Sequence, residues 1–195
     1  MEVAFAIRNS MYLQNHINWV KSIAVHNKKN KSFTTYGHFK PIPGERFLCP
    51  TWEHLFHFTK DGNTEIDLEA SGVPYNTDYN NAARNEKRSG KNWRPTTTCW
   101  HITYKSKATK QITKELTGEK LHPAIFPKEL VSKCIKVSGL KKGLVFDPFA
   151  GTGTTLLTAK EFGLNYFGCE IDPDYADFIN KNILDFNEII QRRLP

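Results

Sequence analysis

Paired cysteines, long apolar runs and a Pro-Pro dipeptide are all absent from this chain of 195 residues. Its cysteines, Cys49, Cys99, Cys134 and Cys169, are scattered, with no CxxC pair and no metal-ligand spacing, so neither a disulfide framework nor a metal site is expected. Cys134 and Cys169 fall within apolar patterns and are expected to be buried thiols in a reducing cytoplasm. No apolar stretch is long enough to cross a membrane, so no membrane partner is expected. The opening MEVAFAIRNS carries Glu2 and Arg8 and no cleavage pattern, which argues against a signal peptide and for a cytoplasmic protein. The hydrophobic content of 39% is ordinary, and the length suits one domain or one domain with an insertion.

Charge is unevenly placed within the net +7. From Arg84 to Lys114 there are nine Lys or Arg and one acid, Glu86; from Gly143 to Ile190 there are eight acids against Lys160 and Lys181. A basic segment followed by an acidic one suggests contact with a polyanion in the first and a different task in the second. A solvated basic loop is the bland alternative.

Along the chain, residues 2–15 have a loosely helical spacing of Val3, Phe5, Ala6, Met11 and Leu13. Residues 16–24 and 52–60 alternate as strands, and the intervening segment from residue 26 to 47 is a basic, glycine- and proline-punctuated loop. Residues 64–119 have no sustained period. A helix is expected after Pro127, with Leu130, Cys134 and Val137 on one face and a stop at Ser138-Gly139. A strand at 144–147, a helix at 154–163, a strand at 165–170 and a helix from about 173 make a βαβα unit, hence a parallel sheet covered by helices.

The turn inside that unit, Asp147-Pro-Phe-Ala-Gly151-Thr-Gly153, is shaped to receive a ligand at a helix N-terminus, where backbone N–H groups lack partners. A phosphate-binding P-loop needs a Lys directly after its last glycine, and here Thr154-Thr155 follow. A dinucleotide site places a third glycine where this chain has Leu156. Asp147 at the strand tip would repel a pyrophosphate but suits a ligand carrying positive charge. Glu170 ends the next strand, where an acid can accept hydrogen bonds from ribose hydroxyls. A cationic amino acid joined to a nucleoside, such as S-adenosylmethionine, fits this set.

DPFAGTGTT, followed by GCEIDPDY and preceded by HPAIFP, resembles the DNA aminomethyltransferases, in the permuted order with the cofactor half C-terminal. The resemblance extends upstream through INWVKSIAV, KPIPGERFLCPTWEHLFHFTK and GVPY, and so covers most of the chain. It implies methyl transfer from S-adenosyl-L-methionine to cytosine N4 or adenine N6 of double-stranded DNA, within a restriction-modification system; the look of the central region slightly favours cytosine N4. It also implies a Rossmann-like α/β sheet of the S-adenosylmethionine-dependent methyltransferase class, incomplete here, with an inserted target-recognition region. Residues 1–61 would be the late catalytic half, 62–118 the DNA-recognition region and 119–195 the cofactor half. Asp147, Pro148, Phe149, Gly151, Gly153 and Thr154 would hold the methionine end, Glu170 the ribose and Ile171 the adenine. His122, Pro123, Phe126 and Pro127 would cover the cofactor from the other side.

In the recognition region Arg84, Lys87, Arg88, Lys91 and Arg94 are interleaved with Trp93, Trp100 and Tyr104. Lys and Arg mostly neutralise phosphates, and an Arg can read guanine. Trp100 is expected in a small core, and Lys28 and Lys29 offer a second backbone contact. The same family presents the flipped base amine with a (Ser/Asp/Asn)-Pro-Pro-(Tyr/Phe/Trp) motif, and none is present; GVPY at 72–75 has Val73 in place of the first proline. The chain is therefore expected to be an N-terminally truncated member, inactive alone, or one half of a split enzyme joined by a second polypeptide. A non-catalytic DNA- or cofactor-binding remnant, a methyltransferase for RNA, protein or a small molecule, and a nicotinamide oxidoreductase are the alternatives.

Overall fold

The computed structural model describes residues 6–27, 32–37, 52–74, 91–102 and 125–182. His122, Pro123, Arg84, Lys87, Arg88, Tyr104, Lys28 and Lys29 lie outside the described residues. Contacts divide the chain into two units, one of Met1–Tyr104 with Lys136–Gly139, the other of Lys105–Ile135 with Leu140–Pro195.

The first unit holds strands β1 (Tyr12–Val20), β2 (Ser22–Asn27), β3 (Ser32–Gly37), β4 (Trp52–Thr59), β5 (Val73–Pro74), β6 (Trp93–Arg94) and β7 (Cys99–His101). β1 is the centre of a sheet ordered β4-β1-β7, antiparallel to β4 and parallel to β7. Alternation sends Ile17 and Trp19 of β1 to a buried face shared with Trp100 and Thr59. The Trp19 indole N–H donates to Ile102 O at 3.0 Å, and that of Trp100 to Thr97 O at 2.7 Å, so both large rings are buried without stranding a donor. The β1–β4 register shifts between Leu13 and Asn15. The extra residue, Gln14, uses its side chain to hold the turn after β4: Thr59 Oγ1 and Thr64 N donate to Oε1, and Nε2 donates to Thr64 O.

Two expectations from sequence are corrected in this unit. The helical spacing of 2–15 gives way to strand at Tyr12, because Met11 N–H donates back to Ile7 O at 3.0 Å and closes a short turn. The stretch from 26 to 47, read as loop, contains β3, paired antiparallel with β2 from Ser22↔Gly37 to Asn27↔Ser32. Thr34, Thr35 and Tyr36 favour extended backbone, and the lysines, glycines and prolines of the same stretch of sequence masked that signal.

The second unit contains α1 (Lys128–Ser138, whose last turn clusters with the first unit), β8 (Leu144–Asp147), α2 (Thr154–Glu161), β9 (Asn165–Gly168) and α3 (Pro173–Asn182). β8 and β9 pair in parallel, Leu144↔Asn165 through Asp147↔Gly168, as a βαβ crossover requires. Val131 and Ile135 of α1 form a core with Ala159 and Leu164, against which Phe126, Leu140, Val145 and Tyr166 pack. A second core joins Ala150, Leu156 and Ile179, again with Tyr166 against it. Each buried Val, Leu or Ile here stabilises the fold by about 1.5–3 kcal/mol. Lys128 and Glu161 form an ion pair linking the start of α1 to the end of α2.

Cys134 and Cys169 keep solvent contact, contrary to the buried thiols expected. On α1 the core is met by Val131 and Ile135, so Cys134 falls beside the contact. The chain around it still desolvates the sulfur and pushes the thiol up to about 11. Cys169 spends its backbone on both neighbours, donating to Asp147 O and accepting from Ala150 N, with its side chain outward.

Candidate functional site

The site is built at the C-terminal ends of β8 and β9, where a parallel sheet opens its crevice. β8 ends at Asp147, whose Oδ1 accepts the Phe149 N–H at 3.0 Å. This Asx turn folds the chain back and leaves Oδ2 without a partner among the described residues. Gly151 and Gly153 follow with φ of 55° and 78°, the left-handed region that a side chain disfavours. Gly153 is also the N-cap of α2, and no side chain caps that helix. The first-turn N–H groups of α2 therefore remain available to an anionic group such as a carboxylate.

Glu170 sits just beyond β9 and ties the two strand tips together. Its Oε2 accepts the Gly151 N–H at 2.6 Å, and its Oε1 accepts the Asp172 N–H at 2.9 Å. Each oxygen still has a second lone pair for an external hydroxyl. Asp172 in turn caps α3, accepting the Asp174 N–H on Oδ1 at 3.0 Å, with Pro173 as the first helical residue. Main-chain bonds complete the frame: Cys169 N to Asp147 O at 2.9 Å and Ala150 N to Cys169 O at 2.8 Å. The result is a hydrogen-bonded crevice with the carboxylates of Asp147 and Glu170 at its two strand tips, a field that favours a cationic ligand.

Two large apolar side chains stand over this frame in solvent. Phe149 is 86% exposed and Ile171 is 98% exposed. Such residues commonly mark a surface that a ligand covers.

Leu156, which as a bare sequence position argues against a dinucleotide, has a different meaning in three dimensions. A Cβ on Gly168 of β9 would come within 2.9 Å of Leu156 Cδ1 and 3.1 Å of Ala150 Cβ. Close helix–strand packing is thus achieved with the glycine on the strand and the large residue on the helix. Leu156 therefore no longer weighs against a dinucleotide by itself; Asp147 does.

Of the expected cofactor residues, Asp147, Pro148, Phe149, Gly151, Gly153, Thr154, Glu170 and Ile171 belong to this one loop system. Phe126 is half-buried against the α1–α2 core, with Pro127 directly before α1. Sequence reasoning did not single out Asp172 or Gly168. The Asp-Pro-Asp run is a capping signal that could have flagged the first; a glycine closing a strand was the trace of the second.

In the first unit, the described part of the basic segment places Lys91 Nζ 4.6 Å from the centre of the Trp93 ring, a cation–π contact. Trp93 is half-buried over Gly72, where a Cβ would lie 2.7 Å from the ring, and Arg94 is exposed. Trp100 is fully buried, as a core residue. Among the described residues no group of three His, Cys, Asp or Glu could hold a metal ion, and no helix is long and apolar enough to cross a membrane.

A family model for DNA methylases, the N6/N4 methyltransferases, matches residues 2–181. The type II methyltransferase M1.MboII of Moraxella bovis is 26% identical over 185 residues, covering 90% of this chain and 64% of the relative. M.ScaI of Streptomyces caespitosus is 32% identical over 141 residues, covering 70% and 44%. The chain thus spans less than two thirds of the length of these relatives. Among solved structures, the PvuII DNA methyltransferase (cytosine-N4-specific) superposes with a TM-score of 0.61 at 18% identity, over 95% of this chain and 57% of that one. The Thermus thermophilus protein TTHA0409, solved with S-adenosyl-L-methionine, gives 0.50 at 20% identity, over 92% and 56%. The fold is accordingly the α/β fold of S-adenosylmethionine-dependent DNA methyltransferases, present here as small, incomplete sheets, and the chain belongs to the DNA methylase family.

Proposed function

We propose that this chain is the cofactor-binding and DNA-reading part of a DNA aminomethyltransferase that binds S-adenosyl-L-methionine at the tips of β8 and β9. The observation that carries the reading is the Glu170 carboxylate held between the Gly151 and Asp172 N–H groups beside the half-free carboxylate of Asp147. When bound, the cofactor supplies an electrophilic methyl group on a sulfonium. Asp147 Oδ2 and the uncapped start of α2 face opposite needs of the methionine end, an ammonium and a carboxylate. Glu170 offers acceptors to the ribose hydroxyls, and Ile171 and Phe149 offer apolar cover for the adenine.

The substrate in this reading is double-stranded DNA, with residues 62–118 as the recognition region. Lys91, Trp93 and Arg94, with Arg84, Lys87, Arg88, Lys28 and Lys29, are its contacts to the phosphates and bases. The acceptor is an exocyclic base amine, cytosine N4 in preference to adenine N6, a choice resting on the character of the central segment. A place in a restriction-modification system goes with it. The chain has no Pro-Pro, so transfer requires a segment that carries the acceptor motif, either joined to this chain or brought by a second polypeptide. Without it the chain binds and does not turn over.

Calorimetric titration with S-adenosyl-L-methionine, and separately with NAD, tests the reading. We expect saturable binding of the first and none of the second. Binding of NAD alone would replace the methyltransferase reading with the oxidoreductase one.

A further inference from the structure

GVPY at 72–75, which lacks the proline pair of an acceptor motif, has a different task in the first unit. Gly72 ends a tight turn in which the Ala70 N–H donates to Asp67 Oδ1 at 2.7 Å, the Ser71 N–H to Asp67 O at 3.2 Å and the Gly72 N–H to Glu69 O at 3.0 Å. The buried Ser71 adds its hydroxyl to Asp67 O at 2.7 Å, so the turn is held from main chain and side chain together. Val73 and Pro74 leave it as β5 and pair antiparallel with Arg94 and Trp93 of β6. Pro74 and Trp93 thus share one side of this two-stranded ribbon, and Val73 and Arg94 share the other.

The Trp93 ring reaches along its side to Gly72 and occupies the space a side chain would need there. A Cβ at position 72 would lie 2.7 Å from Trp93 Cε3 and 3.1 Å from the carbonyl oxygens of Leu68 and Glu69. The ring in turn carries the Lys91 ammonium, with Nζ 4.6 Å from its centroid. A cation is drawn to the electron-rich face of an indole. A lysine has a flexible four-carbon stem whose freedom is lost when it meets a phosphate. Resting the ammonium on a fixed ring removes part of that cost before a ligand arrives.

We infer that Trp93 is a positioning residue of the DNA reader: packed on Gly72, it holds the Lys91 ammonium ready for a backbone phosphate. The β5–β6 pairing turns Arg94 to the opposite side of the ribbon, so the two cations serve separate contacts. This rests on the reading under Proposed function and assigns roles within its set of DNA contacts, Trp93 acting through Lys91. The GVPY segment then supplies the floor on which the reader is built.

The test is fluorescence anisotropy of the full chain with a labelled duplex of random sequence, whose binding reports phosphate contacts without a recognition site. Trp93→Phe, which keeps an aromatic face, should bind within about twofold of the native chain. Trp93→Leu, which fills the space on Gly72 without such a face, should bind about two- to fivefold more weakly at the same salt. Neither change alters the charge. Lys91→Ala should shallow the salt dependence by about one contact, and in that background Trp93→Leu should cost nothing further. Urea unfolding midpoints certify that each variant is folded, and an upfield ring-current shift of the Lys91 side-chain protons reads the ring contact without DNA. That shift should be present in the native and Phe chains and absent in the Leu chain. Native affinity in the Leu chain overturns the inference, as does a Phe chain as weak as the Leu chain. An equal loss with and without Lys91 also overturns it, because Trp93 is then a DNA contact in its own right. An unshifted Lys91 in the native chain does the same. No duplex binding by a native chain in which the shift is present would instead strike the DNA reading itself.

Discussion

The Gly151 N–H and the Glu170 carboxylate meet at 2.6 Å across the tips of two parallel strands, fixing the glycine turn to the neighbouring strand end. The bond couples the residue that shapes the ligand cradle to the residue that offers acceptors to a ribose. Removing either changes both.

Glu170→Ala and Asp147→Ala are each expected to abolish S-adenosyl-L-methionine binding by calorimetry. Glu170→Gln is the sharper variant, because an amide has a single acceptor oxygen and cannot serve the Gly151 and Asp172 N–H groups together. Its affinity should fall short of the native chain. Native affinity in both alanine variants would remove the ligand assignment.

Gly168→Ala should destabilise the fold by about 1–3 kcal/mol, the usual cost of overpacking, because the new methyl would press on Leu156 and Ala150. The double variant with Leu156→Ala should cost less than the sum of the two single changes. Urea unfolding midpoints of the four chains decide it, and strict additivity would mean that the two residues do not share one space.

His57 predicts a pH effect. Burial lowers its imidazole below the ordinary value, with Asn15 Nδ2 3.0 Å from Nδ1. Above the ordinary imidazole range both folded and unfolded His57 are neutral and the contribution is complete. As pH falls through that range the unfolded chain takes up the proton first, so stability drops, levelling once the folded residue is protonated too. The difference between native and His57→Gln unfolding midpoints should therefore shrink toward acid pH. A difference that is constant from pH 8 to pH 5, on the order of three units of the scale, would refute the assignment.

Duplex DNA should bind with affinity that falls steeply with salt, with a logarithmic slope of about −0.9 for each phosphate contacted. Arg94→Ala should shallow that slope by about one contact if Arg94 meets a phosphate. Fluorescence anisotropy at several salt concentrations reads both, and a salt-independent affinity would argue against duplex DNA as the substrate.

The second unit was largely legible in the sequence because each element carried a local signal. The run Leu144-Val145-Phe146 stops at an acid and two glycines, and Asp172-Pro173-Asp174 announces a helix start, so β8, α2, β9 and α3 begin where their residues say. The two positive-φ glycines were likewise readable as a turn. What escaped was non-local. β3 is defined by pairing with β2, Gln14 is a bulge only because β4 runs beside it, and the exposure of Cys134 depends on which side of α1 meets Ala159 and Leu164. In the candidate site most side chains were foreseeable, and the Asp172 side chain is readable as a cap, but the Asp172 N–H that holds Glu170 is not reported by any residue-type pattern.

The exchange of size between Leu156 and Gly168 also limits how such a chain can change over time. A helix residue that fills the space over a strand glycine makes replacing that glycine costly while it stays large. Only after position 156 has shrunk can position 168 acquire a side chain, and the reverse order passes through an overpacked intermediate. The familiar arrangement, with the glycine on the helix, and the one found here are therefore two stable solutions linked by an ordered pair of substitutions, the large residue shrinking first in either direction.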